Sequence, residues 1–160
     1  MGERIRAVAE ALRELGYTVE EPSEEEFSEY MSGETPTGDR TTLEDVLAND
    51  FLMVHEVVEL SELKKMGVQV GRDTVVEHYP EVYRAHLIAL EYELTYALRK
   101  GVLEWFLRRL PAVSVEEPWL LREFSHLRGR LEPLCSSIRR RLLKLLEESY
   151  GRLRHPKDIP

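Results

Sequence analysis

Apolar residues along this chain recur at helical spacing almost throughout. Ile5, Val8, Leu12 and Leu15 fall on one face of a helix predicted over about 3–15, and Gly16 is placed to end it. Tyr17–Thr18–Val19 reads as a short extended piece. Residues 20–40 (EEPSEEEFSEYMSGETPTGDR) break the period, so a mostly irregular acidic excursion is expected, with Phe27 and Tyr30 as anchors and Ser23 placed to cap one short helix. Thr41 and Glu44 have capping-box spacing and open a long helix over about 42–66, closed by Gly67.

Val68–Val76 (VQVGRDTVV) is the one strand candidate, and Asp73 offers the alternative of a helix cap. Pro80 starts a second long helix to about Lys100, followed by Gly101. A short, very apolar helix over 102–110 halts at Pro111; further helices follow over 119–128 and 131–150, the last with Leu134, Ile138, Leu142 and Leu145 at core spacing. The tail 151–160 reads as loose. The fold class expected is therefore all-α: one helical domain spanning 1–160, a bundle of two long central helices with shorter flanking ones.

The two long helices carry ionisable groups where apolar ones belong. On a wheel of about 100° per residue, His55 lies in the middle of a stripe formed by Leu47, Phe51, Val54 and Val58 on one side and Leu52 and Leu63 on the other. Glu59 and Glu62 stand about 40° and 20° from it. Val46, Met53, Val57 and Leu60 occupy the opposite side, so this helix is apolar nearly all round, the mark of a central or interface helix. In the second helix His86 has Val82 and Ala89 on one side and Tyr83, Leu90 and Leu94 on the other, with Glu93 about 20° away. Ionisable groups inside such stripes are costly unless paired or metal-bound. If the stripes face each other, His55, Glu59, His86 and Glu93 converge as an N2O2 donor set for a divalent transition metal such as zinc, iron or manganese.

Helical bundles build metal sites from inward Glu and His residues. The spacings here, His-x-x-x-Glu and His-x6-Glu, depart from the Glu-x-x-His of di-iron carboxylate bundles, and four ligands suit one ion, with Glu62 or Glu56 as an extra ligand or a base. Glu56 and Glu62 are then the candidate bases acting on metal-bound water in a hydrolase-like reaction. Val54–His55–Glu56–Val57–Val58–Glu59 resembles the His-Glu-x-x-His helix of zinc proteases over six residues, but Glu59 replaces the second His. Glu56-x-x-Glu59 is similar to the magnesium-binding carboxylates of all-α nucleotide pyrophosphohydrolases; the Glu-x-x-Asp that this resemblance implies on the next helix is missing. Arg122-x-x-x-His126 loosely resembles an Arg/His pair of helical ribonucleases, with spacing one residue short. His78, near a helix junction, reads as an exposed or capping residue.

Charge is unevenly spread. The first 62 residues balance to −13, residues 63–121 to zero and residues 122–160 to +5. Mutual complementation of the two ends is the simpler reading, with Arg139, Arg140 and Arg141 as the candidate nucleic-acid contact. One cysteine, Cys135, excludes an internal disulfide framework, and no stretch approaches the length of a membrane span. A cytoplasmic location is expected. Abundant Glu, Arg and Leu with a single Gln and a single Asn suits a heat-adapted protein. The competing functional expectation is a non-catalytic homodimer in which the apolar 46–63 surface is the interface and the His–Glu pairs are structural.

Overall fold

The computed structural model describes residues 1–35 and 41–151, the side chain of Trp119 excepted. Among these residues every regular element is a helix: α1 (Gly2–Glu14), α2 (Glu24–Met31), α3 (Leu43–Leu47), α4 (Asp50–Lys65), α5 (Thr74–Glu77), α6 (Tyr79–Arg99), α7 (Leu103–Arg109), α8 (Pro118–Glu123) and α9 (Ser125–Tyr150). The all-α bundle expected from the periodicity is the fold. Residues 36–40 of the expected excursion and 152–160 of the expected tail lie outside the described residues.

Helices α4 and α6 form the centre and share the most extensive packing in the molecule. They run antiparallel, since Glu59 meets His86, His55 meets Glu93 and Phe51 meets Tyr96, numbers falling on one helix as they rise on the other. Both end in the same way. Gly67 (φ 77°) and Gly101 (φ 76°) take the left-handed conformation. The next amide reaches back to close the last turn, Val68 N–H to Leu63 at 3.0 Å and Val102 N–H to Ala97 at 2.9 Å. Helix α9 covers α6, and α1 packs on α4.

Several boundaries differ from the sequence expectation. The long helix over 42–66 is two helices. Asn49 takes an extended conformation, and its side-chain oxygen accepts from the amides of Phe51 (2.9 Å) and Leu52 (3.0 Å), starting α4 afresh. The capping box belongs to Thr42 and Asp45, one residue later than expected. Residues 24–31 of the excursion fold as α2, with a complete Ser23/Glu26 capping box and with Phe27 and Tyr30 buried. No strand forms over 68–76: Val70 and Val75 are buried, while Thr74 bonds back to Gln69 and Gly71 in a turn leading into α5. The helices expected at 119–128 and 131–150 become α8 and a 26-residue α9 that passes through Pro133. A stripe of Leu127, Leu131, Cys135, Ile138 and Leu142 stays buried along it, which holds the helix across the missing N–H. Longer than either central helix, α9 is a full-length flanking element.

The all-round apolar character of 46–63 is used inside the chain. Val46, Met53, Val57 and Leu60 are all fully buried among α1, α3 and α6 and their neighbours. In the single chain these four side chains are core, while Leu47, Phe51 and Leu52 of the same stripe stay partly exposed.

Candidate metal centre

His55 and Glu59 stand one turn apart on α4 and meet His86 of the antiparallel α6. His55 Nε2 is 3.0 Å from Glu59 Oε2 and 3.0 Å from His86 Nδ1, and the last two atoms are 3.3 Å apart. These three donor atoms form a nearly equilateral triangle, and they make up the cluster with metal-ligating geometry among the described residues. A tetrahedral ion with bonds of about 2.0–2.1 Å requires its ligand atoms roughly 3.3 Å apart, close to what is seen. His55 and Glu59 are buried, and the His86 side chain is 35% exposed.

Glu93, expected as the fourth ligand, is completely buried and engaged elsewhere. Its Oε1 accepts from Trp105 Nε1 (2.8 Å) and Arg109 Nε (2.8 Å), both on α7. Its Oε2 accepts from Arg109 Nη2 (3.1 Å) and lies 2.7 Å from His55 Nδ1. Wheel angle placed Glu93 beside His86, but a separation of seven positions is about 10.5 Å of helix rise. Glu93 thus reaches the far side of the His55 ring. The same axial distance separates Glu62 from His55. Glu62 accepts from Tyr17 O–H (2.6 Å) and Lys65 Nζ (3.2 Å), away from the triangle.

The triangle borders a cavity of about 360 Å³. Its walls include Tyr30 and Met31 of α2, Leu52 and Glu56 of α4, Tyr79, Val82 and Tyr83 of α6, and Arg109. Of the two candidate bases, Glu56 faces this cavity and Glu62 does not. His78, at the junction between α5 and α6, is outside it, as are Arg122 and the exposed His126. Arg139 donates to the Val113 carbonyl (3.1 Å), Arg141 grips Glu91 (2.7 and 2.8 Å), and Arg140 is exposed. Arg139 and Arg141 thus have partners within the chain, and Arg140 and Arg141 remain exposed.

Electrostatics follow from these contacts. Burial alone would lower the His55 pKa, but hydrogen bonds to Glu59 and Glu93 outweigh it and carry the group up to about 10. Burial would raise Glu93, yet His55 and then Arg109 hold it down at about 2. Glu59 is likewise held well below the usual carboxylate range against its burial, by hydrogen bonds to His55 and His86. An ionised carboxylate only accepts, so Glu93 assigns the Nδ1 proton of His55. The other nitrogen, Nε2, points into the triangle. There it meets a carboxylate oxygen and a second imidazole nitrogen at 3.0 Å, an arrangement that requires a proton or a cation between them.

Sequence reasoning missed three contributors. Tyr30 donates its O–H to Glu59 Oε1 from α2. Trp105 and Arg109, four residues apart on one face of α7, share the Glu93 carboxylate. That i, i+4 spacing was visible in the sequence, but the partner of the pair was not. Comparison with protein-family models, with curated proteins and with solved structures yields no match.

Proposed function

We propose that this chain is a metal-dependent, hydrolase-like enzyme whose divalent ion is held by His55 Nε2, His86 Nδ1 and Glu59 Oε2. The observation that carries this reading is the triangle itself: three donors 3.0–3.3 Å apart, on the wall of a cavity. The His55–Glu93 bond supports it, because metal-bound histidines characteristically donate their other N–H to a carboxylate. Two imidazoles and one carboxylate form a donor set used by catalytic zinc with water in the fourth position, and by non-haem iron. A zinc-type ion lowers the pKa of bound water to about 7. Glu56, on the cavity wall, is the residue proposed to accept that proton. Iron or manganese in the same donors would be compatible with oxygen chemistry instead.

A second reading has its own support. With a proton on Nε2, His55 becomes an imidazolium between two carboxylates, and every polar atom of His55, Glu59 and Glu93 has a partner. On that reading the cluster is a metal-free structural core of a non-catalytic protein.

Elemental analysis of untagged protein purified without chelator separates the two. Near-stoichiometric zinc, iron or manganese, absent from His86→Ala, is the expected result. His86 is the better target because its partial exposure makes truncation tolerable. Protein that carries no ion, and takes up none on incubation with each at neutral pH, would overturn the metal reading in favour of the structural one.

A further inference from the structure

We infer that Tyr30 is a positioning residue of this centre: its phenol holds Glu59 to single-oxygen ligation and so keeps a coordination position open toward the cavity. The inference rests on the metal reading above and deepens it. A carboxylate with both oxygens unengaged can chelate one ion with the pair. Here the two oxygens have separate partners. Oε2 faces His55 Nε2 and His86 Nδ1, whereas Oε1 accepts the Tyr30 O–H. Both residues are only 6% exposed, so water does not readily take the place of the phenol.

The local structure is built to bring Tyr30 there. The Ser23/Glu26 capping box starts α2, and Phe27, fully buried one turn before Tyr30, anchors the same face. At the other end Gly33 passes so close to the Arg72 carbonyl oxygen that a β-carbon would not fit. The acidic segment following α1 thus carries a side chain 29 residues distant from Glu59 into the centre.

Tyr30→Phe removes one oxygen and leaves the ring packing in place. Cobalt(II) is the probe, because its visible absorption is intense in four-coordinate sites and weakens as coordination number rises. The folded wild-type protein is expected to bind cobalt(II) with intense absorption. Tyr30→Phe is expected to bind it with clearly reduced absorption per ion bound, because the freed Oε1 joins Oε2 on the ion and raises the coordination number. A purely structural role would change stability and leave the spectrum of the bound ion unaltered. An unchanged spectrum of the bound ion in Tyr30→Phe would overturn the inference while the metal reading stands. No cobalt(II) binding by the wild type would overturn both. Should the variant not fold, X-ray absorption on the zinc-loaded wild type decides: one close carboxylate oxygen supports the assignment, two refute it.

Discussion

His55 Nδ1 lies 2.7 Å from Glu93 Oε2, and all four partners of the Glu93 carboxylate are donors. A glutamine at this position cannot satisfy them, because its amide nitrogen must face either Trp105 and Arg109 Nε or His55 and Arg109 Nη2. Glu93→Gln is therefore expected to destabilise the fold by roughly 3 kcal/mol, near the low end for a broken buried ion pair since Arg109 is 30% exposed. Zinc affinity should fall by about 10–100-fold with the loss of His55 orientation. Urea denaturation and zinc titration measure the two effects; a variant as stable as the wild type would mean that the network around Glu93 carries little.

The same contacts set a pH dependence for the metal-free protein. His55 is raised from 6.5 to about 10 on folding, so its contribution is fully present below 6.5 and is lost as pH rises through about 10. Glu93 and Glu59 are depressed from 4.5, so theirs is present above 4.5 and is lost as pH falls. Chelator-treated protein should thus be most stable between these values and should weaken steadily on the alkaline side. A metal-bound centre uses neutral His55, so saturating zinc should flatten the alkaline limb. Thermal unfolding across this range, with and without zinc, tests both statements, and metal-free stability that rises above pH 6.5 would contradict the first.

The wheel positions of His55, Glu59 and His86 were enough to bring three donors together once α4 and α6 faced each other. Periodicity reports angle about the axis and not height along it, which is why Glu62 and Glu93 also looked like members. Glu93 lies one level away and orients His55 from behind; Glu62 binds Tyr17. Tyr30 was beyond reach because its segment has no helical period, and only the Ser23/Glu26 capping box marks α2. The helix break at Asn49 was hidden for a related reason: apolar spacing runs unbroken from Val46 to Leu63, and a single cap outweighs it.

Asn49 offers a test of that break. Its side chain serves the amides of Phe51 and Leu52, which have no partner within the first turn of α4. Asn49→Ala is expected to cost about 1 kcal/mol, and Asn49→Ser to recover most of it, since serine caps nearly as well. Denaturation midpoints of the two variants provide the comparison. Equal destabilisation by both would indicate that the cap bonds are not what starts α4.

Leu60 separates a core role from an interface role for the outer face of the 46–63 stripe. Its side chain has no exposure in the single chain and is packed with the fully buried Met53, Val57 and Leu63 on the same helix. Truncation should therefore open a cavity. The expected cost of Leu60→Ala is about 2–5 kcal/mol, the range for buried leucines, and it should not depend on protein concentration. A dimer held through this face would behave differently, with a destabilisation that diminishes as concentration rises and a changed mass by light scattering. Unfolding curves at two widely separated concentrations, together with that mass, distinguish the cases. A concentration-independent loss places Leu60 in the core and moves any search for a self-association surface to the exposed faces of α9, where Leu143 and Tyr150 stand outward.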